Sequence, residues 1–509
     1  MAETFAFVNE IFSFVVPLSD FFWDFPKNFE WYKNIPVLGN FSLALICIVG
    51  GGIYFTVMTR GIQFTYFVKS LRELAKSGNE KTGISPLSSL LLSSAMRIGP
   101  GNMLGVMGAI SVGGAGSLFW MWVSACFAMA MAFAESTLAQ IFKEKKDDEF
   151  IGGLPFYGQK LLGGVKFVGV SLSLLYVTYA MFNLPAQGYN VISTIEQIGA
   201  TVTGGKISGD IFSGVVAIIL LLVTTTVAFG GMKRAVNLVN KLVPFMAITY
   251  FFIVVFLVIS HFELIPFFFR AVLVGAFSPE SILGGSFGVM LMQGVKRGLM
   301  SNEAGQGTIT MAAACSNAKH PCEQGLVQAI GVFIDTIVIC TCSGFVVVMS
   351  FLWMGVDEQA WLASGMLTRF LTSAQALAPA GFENFVASFF ALCVGLFSFT
   401  TLIGLISFSE VSINIISREK NVINAVRVIG IFFAAFGIIC ALAKINLGNI
   451  WAIGDLTNIL MIFANLPLLV IGTKYILRAT RHYKIHGGKD FNSSVIGWKN
   501  KSLYWDDFK

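Results

Sequence analysis

The chain has 509 residues, of which 55% are hydrophobic and 12% charged, with a formal net charge of +6 and a mean hydropathy of +0.76. Soluble domains carry about 25% charged residues, so this composition excludes a soluble globular protein and describes a chain that crosses a membrane many times. The charge balance does not call for a nucleic-acid partner, and the placement of the charges reads as topology instead.

Near the N-terminus Phe5, Val8, Phe12 and Val15 recur at helical spacing, and Phe21, Phe22, Trp23, Trp31 and Tyr32 follow. Residues 1–37 read as an aromatic segment lying at the outer membrane interface. No cation precedes the first apolar stretch, so it lacks the form of a cleaved signal peptide. Eleven apolar spans follow at about 38–58, 87–112, 117–142, 164–192, 212–230, 240–260, 282–316, 325–353, 384–410, 424–443 and 451–477, each near or above the ~20 residues that cross hydrocarbon. Residues 478–509 form a tail. The predicted fold class is all-α and polytopic.

Lys and Arg alternate with these spans. Arg60, Lys69, Arg72, Lys76 and Lys81 follow span one, and Lys143, Lys145, Lys146 and Lys160 follow span three. Lys233, Arg234 and Lys241 lie around the turn from span five to span six, Arg418 and Lys420 around that from nine to ten, and Lys474, Arg478, Arg481, Lys484 and Lys489 at the end. The other loops hold little beyond Lys206, Arg270 and Arg369. Positive loops stay in the cytoplasm, which puts the N-terminus outside and the tail inside. Six of the eight cysteines lie in spans and read as small hydrophobes. Cys340-Thr341-Cys342 has no metal-ligand partners nearby in sequence, so no metal cofactor is expected.

Two spans break the pattern. Span two contains Arg97-Ile98-Gly99-Pro100-Gly101-Asn102, and span seven contains Gln293-Gly294-Val295-Lys296-Arg297-Gly298 followed by Ser301-Asn302-Glu303-Ala304-Gly305-Gln306-Gly307. Glycine and proline interrupt helices, and unpaired backbone at membrane depth must face protein or water. The breaks sit five spans apart. Residues 87–260 and 282–477 therefore read as two five-helix halves, one starting from the cytoplasm and one from outside. Interrupted helices at matching positions of inverted halves are the sequence mark of a secondary transporter's site.

At these stretches the sequence resembles the alanine/glycine:cation symporter family. The resemblance extends through Phe119-Trp120-Met121-Trp122, Gly230-Gly231-Met232-Lys233-Arg234, Gly331-Val332-Phe333-Ile334-Asp335-Thr336 and Phe399-Thr400-Thr401, nearly the whole membrane region. It implies the leucine-transporter fold of five-plus-five inverted repeats, preceded here by one extra helix. It also implies import of alanine, glycine or another small neutral amino acid with Na⁺, or less often H⁺, across a prokaryotic plasma membrane. Relatives usually have Gly-Thr-Gly-Asn where this chain has Gly99-Pro100-Gly101-Asn102, and Gly-Ser-Ala-Pro where it has Gly307-Thr308-Ile309-Thr310. These departures touch substrate preference more than fold, and a larger neutral side chain such as that of glutamine fits them.

The substrate-binding candidates are Gly99, Pro100, Gly101, Asn102, Gln187, Gln293 and Gly294. Unwound backbone can turn N–H groups to a carboxylate. A plain hinge also explains Gly99 and Gly101, and helix packing equally explains Gln187 and its neighbour Asn183. The resemblance further implies a Na⁺ site formed by the hydroxyls of Thr400 and Thr401 and the carbonyls of Ala95, Ile98 and Phe397. Intrahelical bonding of the two threonines is the plainer alternative. Arg97, Glu135, Lys296, Arg297, Glu303, Asp335, Glu410 and Asp455 must each face protein or water. Arg297 and Glu303 read as a gate pair or a brace. Gly284-Gly285-Ser286-Phe287-Gly288 matches a hydrolase pattern but lacks a strand context and a positioned histidine, so an intramembrane enzyme is not expected.

Overall fold

Hydrocarbon offers backbone amides no partner, so apolar segments of this length satisfy them internally as helices. The structure, a computed structural model, describes residues 9–35, 38–74, 82–203, 209–277, 286–353, 358–445, 448–499 and 503–507. Phe5, Val8, Lys76, Lys81, Lys206, Gly284, Gly285 and the start of span seven lie outside them. Each expected span coincides with a helix or an interrupted set of helices. They are Leu43–Thr59; Pro86–Arg97 with Leu104–Gly113; Gly116–Ile141; Lys166–Thr203; Gly209–Phe229; Gly231–Ser260; Ser286–Asn302 with Thr310–Ala314; Pro321–Val332 with Cys340–Trp353; Glu383–Ile413; Lys420–Leu442; and Gly448–His486. Among the described residues, eight helices are long and apolar enough to cross a membrane, and Leu43–Thr59 is a shorter apolar helix.

Local chemistry sets the helix starts. Ser42 Oγ accepts the Leu45 N–H at 3.3 Å, and Ser85 Oγ accepts the Ser88 N–H at 3.0 Å with Pro86 in the first helical position, an arrangement that satisfies orphan donors. Span four does not end near residue 192. It continues through Pro185 to Thr203, because a proline in a packed membrane helix bends it without ending it when neighbours cover the freed groups. Gly437 of span ten lets the two helices close on each other here: a Cβ on it would sit 2.0 Å from the Pro185 carbonyl oxygen. Span eleven likewise runs through Pro467 to His486, beyond the expected end at 477.

Burial separates an inner from an outer layer. The most apolar stretch of span nine is 78% buried and those of spans three and eight 67%, against 33% and 28% for spans five and six. Spans three, eight and nine therefore line the interior beside the two interrupted spans, while five and six face lipid. The helix Ile265–Phe277 lies between spans six and seven, and the helices Glu358–Ala363 and Met366–Ala376 lie between spans eight and nine.

The two ends of the chain pack on opposite ends of the bundle. Helix Val15–Asp24 lies against the start of span eleven, where the Trp23 indole N–H donates to Asp455 O at 3.0 Å and its ring carries Lys296 Nζ at 4.4 Å. The tail packs under the end of span three. Trp505 donates to Gln140 O at 2.9 Å, and Lys143 Nζ lies 4.1 Å from the Phe150 ring and 4.6 Å from that of Trp505. Outside the spans, His320 stacks on His482 and its Nδ1 accepts the Cys322 N–H at 3.1 Å. Burial, with His482 and Lys69 nearby, pushes its pKa down to about 3, which keeps that nitrogen free to accept.

The charge alternation predicts which end is outside. A cysteine in place of exposed Glu30 is expected to react with an impermeant maleimide on intact cells, and one in place of exposed Lys499 only after permeabilisation, with the parent chain as blank. Reversed labelling would contradict the orientation.

Candidate functional site

Span two comes apart where the sequence removes its hydrogen bonds. Ile98 leaves the helix at ψ 76° and Gly99 is fully extended, before a short turn at Pro100–Asn102 and a new helix from Leu104. The Gly99 N–H turns back to Arg97 O at 2.8 Å and to Asn102 Oδ1 at 3.0 Å. Ala95 O is thereby left without its i+4 donor, and Pro100 has no N–H to offer Met96 O. The Asn102 N–H goes to Gly99 O at 3.2 Å instead of Ile98 O. Among the described residues the carbonyls of Ala95, Met96 and Ile98 thus receive no backbone donor, and the Gly101 N–H has no acceptor.

Span seven breaks between Asn302 and Thr310. Glu303 takes a left-handed φ of 54°, unusual for a non-glycine residue, and Gly305 and Gly307 follow at 85° and 81°, where only glycine is unstrained.

Each break is held by a buried carboxylate from the other half. Glu135 of span three accepts the N–H groups of Gly305 and Gly307, both at 3.1 Å, and the Asn465 amide at 3.0 Å. Asn465 also donates to Gly305 O at 3.0 Å and accepts from the Tyr157 hydroxyl. Asp335 of span eight lies in a π-helical turn, Phe333–Ile339, and accepts from Asn102 Nδ2, from Ser301 Oγ at 3.0 Å and from Thr336 Oγ1 at 2.9 Å. Spans three and eight follow the broken span of their own half, so the two latches are related by the inverted repeat. Arg97 ties the breaks together: its Nε donates to Asn302 O at 3.0 Å and its Nη1 to Gln328 O at 3.2 Å. Asp335, Glu135 and Glu303 all act on its charge. One guanidinium thus shares this buried centre with three carboxylates.

Between the breaks lies a cavity of about 230 Å³, lined by Arg97, Gly99, Pro100 and Gly101 of span two, Asn183 and Gln187 of span four, Arg297 and Glu303 of span seven, and Thr401 of span nine. It is smaller than the roughly 300–1,000 Å³ that holds drug-sized ligands, which suits one small solute. Thr401 faces the break closely enough that a Cβ on Gly99 would stand 3.0 Å from its hydroxyl. The hydroxyls of Thr400 and Thr401 both donate to Phe397 O, at 3.0 and 2.9 Å.

The predicted residues fall into three groups. Gly99, Pro100, Gly101, Gln187 and Thr401 reach the cavity wall, and Gln187 and Asn183 lie within the long helix of span four. Ala95, Ile98, Phe397 and Thr400 are buried beside the break. Asn102, Gln293 and Gly294 are off the wall. Asn102 is fully buried with its side chain committed to Gly99, Ser301 and Asp335. A Cβ on Gly294 would meet Ser117 O at 2.5 Å, so this stretch is a contact with span three, and Gln293 Oε1 is buried without a donor. The expected Arg297–Glu303 pair is also absent among the described residues. Glu303 instead accepts from Tyr179 at 3.2 Å and Thr308 at 2.7 Å, because its left-handed turn aims it away from the helix that carries Arg297. Glu135, read as a group that must face protein or water, proves to be a latch. Its partner Asn465 carries no signal in the sequence.

Known proteins place this architecture. A solved structure described as MhsT in complex with L-phenylalanine superposes with a TM-score of 0.56 at 13% identity, over 84% of this chain and 95% of that one. The shared fold is the leucine-transporter fold. The amino-acid carrier protein AlsT of Bacillus subtilis is 31% identical over 94% of this chain and 97% of its own length. The probable sodium/glutamine symporter GlnT of the same organism is 32% identical over 91% and 93%. These relatives are transporters, not enzymes. The sequence profile described as the sodium:alanine symporter family matches residues 30–495, and the chain belongs to that family.

Proposed function

We propose that this transporter imports a small neutral amino acid, alanine, glycine or glutamine, together with Na⁺ by alternating access across the plasma membrane. The observation that carries the reading is the oxygen cluster beside the break in span two. Two hydroxyls, Thr400 and Thr401, converge on Phe397 O, Thr401 faces the break at Gly99, and the break leaves the carbonyls of Ala95 and Ile98 without backbone donors. Neutral oxygens of this kind suit a small hard cation. The free Gly101 N–H at the cavity wall suits the substrate carboxylate, and Gly99, Pro100 and Gln187 contribute the surrounding surface. Asn102 acts in this reading by holding Gly99 in place. The names of the relatives, an amino-acid carrier and a probable sodium/glutamine symporter, agree with it.

The excess of carboxylates over Arg97 supports cation coupling in general and favours a second reading, in which H⁺ replaces Na⁺. Uptake into proteoliposomes separates the two. Radiolabelled alanine, glycine and glutamine are offered with an inward Na⁺ gradient, with an inward H⁺ gradient in Na⁺-free medium, and with neither. Accumulation under the Na⁺ gradient alone is expected. Accumulation under the H⁺ gradient alone establishes the second reading, and equilibration without any gradient would mark a passive channel.

Pro100 bears on which amino acid is carried. Relatives offer an N–H at this position and proline cannot. A hydrogen bond to a charged group is worth about 1.5–3 kcal/mol, roughly 10- to 150-fold in affinity. Pro100→Thr is therefore expected to improve competition by alanine and glycine relative to glutamine by at least about tenfold. An unchanged ranking at normal protein levels would make Pro100 a hinge only.

A further inference from the structure

Arg297 stands in the cavity wall without an anion. Its guanidinium lies on the outer half of span two, where glycines make room. A Cβ on Gly108 would come within 3.8 Å of Nε and Nη2, and one on Gly105 within 4.0 Å of Cδ. Nη1 meets only the weak acceptor Met300 Sδ, at 3.7 Å, and Nε is buried with no acceptor. No carboxylate lies within 4.0 Å of it among the described residues. The adjacent Lys296 is treated differently: it turns to Asp455 at 3.7 Å and to the Trp23 ring. Of two consecutive cations, one is neutralised and the other is left open on the cavity.

A half-buried guanidinium without an anion is costly, and its planar fork matches a carboxylate with two parallel hydrogen bonds. The facing segment is where an anion contact is missing, because Pro100 removes an N–H from the wall and leaves that of Gly101. The Glu303 carboxylate lies in the same wall, beyond the end of that helix.

We propose that Arg297 binds the α-carboxylate of the transported amino acid, supplying the contact that Pro100 cannot, with the ammonium group directed towards Glu303. This rests on the amino-acid reading above. It names a carboxylate-bearing zwitterion as the ligand class and makes Arg297 the residue that distinguishes it from an amine.

The test is inhibition of labelled L-alanine or L-glutamine uptake in proteoliposomes, comparing unlabelled L-alanine with L-alaninol, which keeps the ammonium and methyl groups and lacks the carboxylate. Arg297→Gln is expected to weaken L-alanine by about 10- to 100-fold and to leave L-alaninol unchanged, so that the preference of the parent protein for the acid disappears. Arg297→Lys, which keeps the charge without the fork, is expected to fall between, and it stands in if Arg297→Gln does not reach the membrane. A parent protein that takes up neither amino acid overturns the amino-acid reading and this assignment together. Uptake by the parent protein, with equal shifts for L-alanine and L-alaninol or none for either in the variants, overturns the assignment of Arg297 alone.

Discussion

Glu135→Gln is expected to reduce uptake more than any other single substitution considered, by at least about a hundredfold, and to lower the thermal midpoint of the detergent-solubilised protein. The carboxylate accepts three donors, two of them backbone N–H groups of the span-seven break. An amide has one acceptor oxygen and presents its NH₂ to a remaining donor. Leaving a buried donor unsatisfied costs about 1–3 kcal/mol, and the strained turn at Glu303, Gly305 and Gly307 depends on both carboxylate oxygens for its shape. Glu135→Asp retains the charge and is expected to recover part of the loss. Asn465→Ala, which removes a single donor to the carboxylate, is expected to cost less than Glu135→Gln. Full uptake by Glu135→Gln with an unchanged midpoint would show that the break holds itself open. The same reasoning applies to Asp335→Asn at the span-two break, with Asn102 as the intermediary.

The second large effect concerns sodium. Thr400→Ala combined with Thr401→Ala is expected to raise the Na⁺ concentration for half-maximal uptake by more than about tenfold, the minimum for losing two oxygen contacts to a charged species, with little change in protein abundance. Abundance is expected to hold because both hydroxyls bond only within their own helix or lie near Met246, so their removal strands no buried partner on another span. Sodium titration of uptake in the variant and the parent protein measures it. An unchanged sodium requirement would place the cation elsewhere.

The fold was legible in the sequence because its constraints are local. Apolar length marks spans, and the glycine–proline run at 99–101 and the glycines at 305 and 307 mark breaks whatever the rest of the chain does. Legibility failed where a neighbour overrides a local signal. Span four reads as ending near residue 192, but its helix continues to Thr203, with Gly437 packed against Pro185 along the way. Ile265–Phe277, with Pro266 and Arg270, is too short and interrupted to register as an apolar span.

The site divides the same way. Gly99, Pro100 and Gly101 reveal themselves by what they do to their own helix, and they line the cavity. Asn102 shares their motif, yet Asp335, 233 positions away, takes its side chain for structure. Gln293 and Gly294 carry the polarity and smallness of a binding stretch, but Ser117 and Trp120 of span three claim Gly294 for packing, and Gln293 lies against Gly113 of span two. Arg297 and Glu303 do not pair, and no pattern of residue types discloses the left-handed turn at Glu303 that follows the helix end.

The most direct test of sodium-coupled amino-acid import follows the ion rather than the amino acid. Coupling is reciprocal, so a solute that needs sodium to enter must bring sodium with it. Proteoliposomes are given radiolabelled Na⁺ outside, clamped at zero membrane potential, and unlabelled alanine, glycine or glutamine is added. At least one of these is expected to accelerate sodium influx, and the acceleration to vanish in the Thr400→Ala, Thr401→Ala variant. Accumulation of an amino acid with no accompanying sodium influx would contradict it.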